Sequence, residues 1–278
     1  MGRKRASTEP GITGTYDIST GTAEVVPDEF RDGAYILNVN GVPSSHIVLG
    51  EPEELEFEYM RWIAAAVEHL NTRPSNKLRV THLGGAGCSL PRYFASRLPG
   101  SRHTVVELDA KLGELVRTLF DVPSSPTVKI RAGEARKETE GFLPSSRDII
   151  IRDVFAGDKT PANLTTVEFF QAAKQSLAAG GLYVANCGDH SDLQLAKSEL
   201  AGLDKVFDHL AVIADPPMLK GRRYGNIILV ASDTEMPAEG SVEAAQLAKA
   251  LLGGAVPAHY KDEAWTRAFF TGATAARD

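Results

Sequence analysis

Residues 78–109 read LRVTHLGGAGCSLPRYFASRLPGSRHTVVELD. A β-prone run over 78–83 enters Gly84-Gly85-Ala86-Gly87, a helical stretch over about 91–98 follows, and a second β-prone run over 104–108 carries the triplet Glu107-Leu108-Asp109 at its end. Glycines at a strand-to-helix turn let the chain reverse sharply, and they let a ligand approach backbone N–H groups at the next helix start. The third glycine of the dinucleotide fingerprint would fall where Leu90 stands, so the loop matches only in part. Glu107 follows Gly84 by 23 residues, close to the spacing of about 20 at which an acid accepts hydrogen bonds from ribose hydroxyls. A plain tight turn is the alternative for the loop, and a solvated helix cap the alternative for Glu107 or Asp109.

Downstream the periods keep alternating: helix 111–120, strand 128–131, helix 136–142, strand 149–154, helix 167–177, strand 182–185 and helix 192–200. Such alternation specifies a parallel sheet covered by helices on both faces. The runs 207–213 and 226–231 leave no room for a full crossover helix and are expected to pair antiparallel. A parallel sheet closed in this way is the layout of S-adenosyl-nucleoside enzymes, whereas a dinucleotide dehydrogenase should supply another βαβ unit. The third strand ends in Gly133-Glu134, where the carboxylate or the backbone beside it suits an adenine amino group. The fourth, Ile149-Ile150-Ile151-Arg152-Asp153, carries an acid to the same edge and runs into a long turn-rich loop, 156–165. Ligands of open α/β sheets sit outside the carboxyl ends of the strands, and long loops there are more often functional than filler. A cap or a salt bridge with Arg152 is the alternative for Asp153.

Upstream, residues 1–15 lack hydrophobic periodicity and read as a mobile tail. Residues 16–52 hold short runs, 22–26, 34–39 and 46–49, with an Asn40-Gly41 turn, and read as a small antiparallel β unit. Both central positions of a type I′ hairpin turn need positive φ, which Asn-Gly supplies. From residue 53 the period becomes helical, with Leu55, Tyr59, Trp62, Ile63, Ala66 and Leu70 on one face. This opens the main domain, 53–278, which ends in amphipathic stretches over 242–252 and 262–270 that form a candidate interface.

The chain has 278 residues, 43% hydrophobic and 24% charged, with a net charge of −6. A mildly acidic chain with no basic block beyond Arg3-Lys4-Arg5 argues against a nucleic-acid-coating protein and suits a cationic or small zwitterionic substrate. Cys88 and Cys187 are too few for a disulfide framework, and no Cys/His set has metal-ligand spacing, so no metal is expected. No apolar run approaches the roughly 18 residues of a membrane helix, and the start lacks a signal-type apolar segment. The expectation is a cytoplasmic protein with no membrane partner. His82 reads as a hydrogen-bonded core residue, both cysteines as packing, and Arg222-Arg223-Tyr224-Gly225 as a solvated turn.

Over residues 16–232 the chain resembles the spermidine synthase (polyamine aminopropyltransferase) family. The ordered features are Asn40-Gly41-Val42 ahead of a helix with Phe57 and Tyr59, the glycine loop, Glu107-Leu108-Asp109, Gly133-Glu134, then strand, Asp153 and gate loop. Leu83-Gly84-Gly85-Ala86-Gly87 followed by Leu90-Pro91-Arg92-Tyr93, together with Leu164-Thr165-Thr166-Val167-Glu168-Phe169-Phe170, is similar to divergent bacterial spermidine synthase-like members. The resemblance implies an α/β fold, a Rossmann-like sheet of S-adenosylmethionine-dependent methyltransferase type with a small N-terminal β unit. It implies transfer of an aminopropyl group from decarboxylated S-adenosylmethionine to an amine such as putrescine, by a cytoplasmic homodimer with no tightly bound cofactor. It makes Asp153 the catalytic carboxylate, sets Gly84, Gly85, Gly87, Glu107, Leu108, Gly133 and Glu134 around the nucleoside, and gives Tyr59 and Asp158 to the amine.

The chain departs from the family in three places. It reads Gly84-Gly85-Ala86-Gly87-Cys88-Ser89 for Gly-Gly-Gly-Asp-Gly-Gly, Tyr59-Met60-Arg61 for Tyr-His-Glu, and Ala156 for the second gate-loop acid. A charged hydrogen bond contributes about 1.5–3 kcal/mol, so two lost acids weaken an ammonium contact by roughly 3–6 kcal/mol unless Asp158 or another acid substitutes. Two other readings stay open on the same residues: a methyltransferase using S-adenosylmethionine itself, and a non-catalytic nucleoside-binding homologue.

Overall fold

The computed structural model describes residues 11–157 and 159–278. The first ten residues of the expected tail and the expected amine ligand Asp158 lie outside them. Strands β1 (Gly14–Ile18), β2 (Gly21–Pro27), β3 (Ala34–Val39) and β4 (Val42–Val48) form an antiparallel sheet in sequential order. Asn40 and Gly41 have φ of 52° and 79° in the two-residue turn between Val39 and Val42, the geometry the Asn-Gly signal requires.

Helix α1 (Glu58–Leu70) starts later than the hydrophobic period suggests. The Arg61 guanidinium donates to the carbonyls of Leu55 (2.8 Å) and Glu56 (2.6 Å), which turns residues ahead of Glu58 out of the helix. Burial of α1 also reaches past the one expected face to Met60, Ala64, Ala65 and Val67, because the helix lies on the sheet and a later helix covers it.

The alternating segment forms β5 (Arg79–Leu83), α2 (Ser89–Arg97), β6 (Arg102–Glu107), α3 (Ala110–Leu119), β7 (Val128–Ala132), α4 (Ala135–Glu140), β8 (Arg147–Arg152), α5 (Val167–Ser176), β9 (Leu177–Asp189) and α6 (Gln194–Leu203). It ends in β10 (His209–Ala214), α7 (Pro216–Leu219), β11 (Gly225–Ser232), α8 (Val242–Leu251), β12 (His259–Lys261) and α9 (Glu263–Phe269). The eight strands lie in the order β12-β10-β11-β9-β8-β5-β6-β7. Strands β5 to β9 are parallel, and β10 and β11 pair antiparallel as their short connection demands. The edge strand β12 and the single-turn α7 carry no periodicity strong enough to announce them.

The central strands alternate between two cores. Ile149, Ile151, Leu182 and Val184 join α1, α2 and α8 on one face, while Ile150, Tyr183 and Ala185 join α5 and α6 on the other. A third cluster, with Ile18, Ile47, Cys88, Leu112 and Val116, fastens the N-terminal sheet to α3 and the glycine loop. His82 bonds His103 inside the core (Nε2 to Nδ1, 3.1 Å), and burial pushes the Cys88 thiol up to about 12. The chain leaves β5 for β6 on one side and returns to β8 on the other, so strand order reverses between β5 and β8. Open α/β sheets bind ligands in the crevice at that point.

Candidate active site

Gly84, Gly85 and Gly87 are each held by a different neighbour. Gly84 has φ of +86°, and a Cβ there would lie 2.2 Å from the Asp153 carbonyl oxygen, so the loop and the end of β8 touch backbone to backbone. A Cβ on Gly85 would lie 2.5 Å from Val105, and the amides of Gly85 and Ala86 donate to Glu107 Oε2 (3.0 and 3.2 Å). Gly87 faces β4 instead of the crevice: its amide donates to Ser45 Oγ (2.9 Å), and a Cβ would meet Ile47 at 2.6 Å and Ser45 at 2.7 Å. The resemblance of the glycine loop sets Gly87 beside the nucleoside, but packing of the N-terminal sheet occupies both its amide and its open side. Gly87→Ala should therefore destabilise the fold by about 1–3 kcal/mol, the usual cost of overpacking. Thermal unfolding checks this, and an unchanged midpoint defeats it.

The same sheet grips the next residues. Ser89 Oγ donates to the His46 carbonyl (3.0 Å), and the buried Arg92 donates to the Val48 carbonyl (2.9 Å) and pairs with Asp121. Asp109 accepts from the Thr20 amide (2.6 Å) and hydroxyl (2.9 Å), and it caps α3 through the Leu112 amide (2.9 Å). Burial alone would raise its carboxyl, but the hydrogen bonds from Leu112 and Thr20 outweigh this and hold it at about 2. Asp109 is thus a helix cap, the alternative its place at the end of the Glu-x-Asp run allows, although a buried one.

Glu107, beside it, sits at the mouth of the crevice with Oε1 on the Asp109 amide (3.1 Å) and Oε2 on the loop. A carboxylate has about four acceptor positions, and these bonds use three. Leu108 is 65% exposed, an apolar surface at the same edge. Gly133 donates its amide to the Glu107 carbonyl (2.9 Å). Glu134 caps α4 through the amides of Arg136 (3.1 Å) and Lys137 (2.8 Å), and accepts from Asn163 of the following loop (3.2 Å).

Asp153 follows β8 directly and donates its amide to the Leu83 carbonyl (2.9 Å). Its half-buried carboxylate receives the Tyr59 hydroxyl on Oδ2 (3.2 Å) and the Asn186 side-chain amide on Oδ1 (3.0 Å). Burial pushes this carboxyl above its usual range, opposed by the two hydrogen bonds and the charge of Arg152. Burial, and next the Asp153 charge, push the Tyr59 hydroxyl well above its ordinary value. Tyr59 and Asp153 are thereby brought together from α1 and β8.

Arg152 is not the partner of Asp153. Neighbouring strand residues point to opposite faces, and Arg152 turns into the α6 side. There it pairs with Glu199 (2.7 Å) and donates to the carbonyls of Leu164 (3.1 Å) and Asn186 (3.2 Å). The departure at Tyr59-Met60-Arg61 also falls on framework: Met60 is core, and Arg61 holds the turn before α1. The Ala156 amide donates to the Lys159 carbonyl (2.8 Å). Asn186 and Glu199 escaped sequence reasoning, although a polar residue inside the apolar run 182–187 is a signal, since an unneeded polar side chain there carries a cost.

The strand order, the reversed β11 and the acids at the switch point define a Rossmann-like sheet of S-adenosylmethionine-dependent methyltransferase type with an N-terminal β unit. No protein-family model matches the chain. The human methyltransferase-like protein 13, solved in complex with SAH, is 25% identical with a TM-score of 0.57, covering 70% of this chain and 90% of that one. The polyamine aminopropyltransferase of Vibrio vulnificus is 27% identical over 209 residues, 74% of this chain and 66% of that protein, just under two thirds of its length. A crystal structure of a probable spermidine synthase from Corynebacterium glutamicum is 58% identical with a TM-score of 0.94, covering 96% of this chain and 97% of that one. The chain belongs to the spermidine synthase family. Among the described residues no helix is long and apolar enough to cross a membrane.

Proposed function

We propose that the protein transfers an aminopropyl group from decarboxylated S-adenosylmethionine to a small amine such as putrescine. The observation that carries this is the Asp153 carboxylate, held by Tyr59 and Asn186 at the switch point, next to a glycine loop capped by Glu107. The names of the Vibrio and Corynebacterium relatives support it. The amine nitrogen attacks the propyl carbon bound to the sulfonium, the C–S bond breaks, methylthioadenosine leaves, and the ammonium proton passes to Asp153. An alkylamine of pKa about 10.4 must first lose a proton, and the nearby sulfonium charge lowers that pKa. Asp153 then needs only to orient the amine and accept its proton. Asp158 is assigned to the far end of the amine, Gly84, Gly85, Leu108, Gly133 and Glu134 to the nucleoside, and the working form is a cytoplasmic homodimer.

A second reading, methyl transfer from S-adenosylmethionine, is favoured by one observation: β4 fills the space at Gly87 where the family places an acid. Incubation with each sulfonium donor and a panel of amines, with mass spectrometry of the products, separates the two. Release of methylthioadenosine with an aminopropylated amine supports the first reading. Methylated product with S-adenosylhomocysteine overturns it.

Glu107→Gln should weaken methylthioadenosine binding by about 1.5–3 kcal/mol, roughly ten-fold or more, because a charged acceptor for ribose hydroxyls becomes a neutral one. Calorimetry on the folded variant checks this. Unchanged affinity removes Glu107 from the nucleoside site.

A further inference from the structure

Asn186 stands in the middle of the sheet, one residue beyond the Arg152–Ala185 register of β8 and β9 and opposite Ile228 of β11. It is 1% exposed and is the polar member of an otherwise apolar run. Its backbone is fixed by pairing with β11, and its carbonyl takes a further bond from the Arg152 guanidinium (3.2 Å). Its side chain spends its amide donor on Asp153 Oδ1 (3.0 Å), while its own Oδ1 stays buried with no hydrogen-bond partner among the described residues. An unpaired buried acceptor is unfavourable. The side chain nevertheless presents its N–H to the carboxylate, which is the arrangement an ionised acid asks for. A protonated acid would offer its O–H to the amide oxygen instead.

We infer that Asn186 is a positioning residue, whose amide holds the Asp153 carboxylate ionised and aimed so that its remaining lone pairs meet the proton of the attacking amine. The catalytic meaning rests on the aminopropyl transfer proposed above. The groups around Asp153 support the assignment. From α1 comes the Tyr59 hydroxyl, from β9 the Asn186 amide, and from β8 itself Arg152, whose charge is already engaged by Glu199. Among the described residues Asn186 and Tyr59 are thus the two direct side-chain donors to this acid, and burial works against both of them. Tyr59 belongs to the proposed amine pocket. Asn186 lies beneath the carboxylate, so it acts on the amine through Asp153.

The test uses Asn186→Leu in the full chain. Leucine is close in shape to asparagine and removes the unpaired oxygen together with the donor, so the variant should fold. Without the donor, Asp153 binds its proton more tightly, and the acid limb of kcat/KM should move about one pH unit upward. The ratio of variant to wild-type rate should then be near one tenth below that limb and approach one at alkaline pH. A structural role predicts a ratio that does not change with pH, and that result overturns the inference. Infrared difference spectra taken against Asp153→Asn read the same titration without turnover. The protonated-carboxyl band of Asp153 should persist to higher pH in Asn186→Leu than in wild type, and an unchanged midpoint overturns the inference even if no amine is accepted. Absence of aminopropyl transfer by wild type, with the band shifted, removes the proposed reaction and leaves the positioning of Asp153 standing.

Discussion

Asp153→Asn should abolish most of the turnover while leaving methylthioadenosine affinity nearly unchanged. The carboxylate is assigned to the amine and lies just past the end of β8, whereas Glu107 and the glycine loop approach from β5 and β6. General base assistance is worth about 10²–10⁴-fold, and the amide oxygen of asparagine cannot take up the proton. Stability supplies the control. Folding raises the Asp153 pKa, so the native state holds a proton that the unfolded chain has released, and wild-type stability falls as pH rises from the ordinary carboxylate range through the raised value. The asparagine variant lacks that loss. It should be at least as stable as wild type at neutral pH, so an inactive but well-folded protein is expected. Equal rates for the two across the pH profile would exclude a catalytic role.

Glu199→Ala should be the most destabilising of the side-chain truncations. It leaves the Arg152 guanidinium, which has no exposed surface, without its counter-charge in the middle of the sheet. Breaking one side of a buried pair costs about 3–5 kcal/mol, since the remaining ion has neither water nor counter-charge. Replacing both partners by apolar residues of similar volume, Arg152→Met with Glu199→Leu, should recover most of that loss. Urea unfolding of the single and double variants measures both effects. A loss under about 1 kcal/mol for Glu199→Ala means that the carbonyls of Leu164 and Asn186 alone satisfy the guanidinium.

The sheet was legible because its signals are local: a period of two giving way to a helical one, glycine at the β5–α2 turn, and too short a gap between β10 and β11 for a crossover. The helix start at Glu58 was not, because Arg61 overrides a continuous hydrophobic period by bonding backward to two carbonyls. At the site, strand ends placed Glu107, Glu134 and Asp153 along one edge, and motif resemblance added Tyr59. What they missed depends on which way a side chain turns. Gly87 matches a ligand loop by resemblance yet faces Ser45, and Arg152 adjoins Asp153 in sequence yet pairs with Glu199 on the other face. Asn186 is distant from Asp153 in the chain and becomes its neighbour only when β8 and β9 lie side by side.

The fastening of the N-terminal sheet to the glycine loop has a bearing on inheritance and on protein engineering. Ser45 fills the place of a side chain at Gly87, His46 and Val48 supply carbonyls to Ser89 and Arg92, and Thr20 completes the cap at Asp109. These two stretches therefore behave as one exchangeable cassette: a chimera that swaps the first 50 or so residues for those of a relative keeps its loop only if the partners in 87–92 and at 109 travel with them.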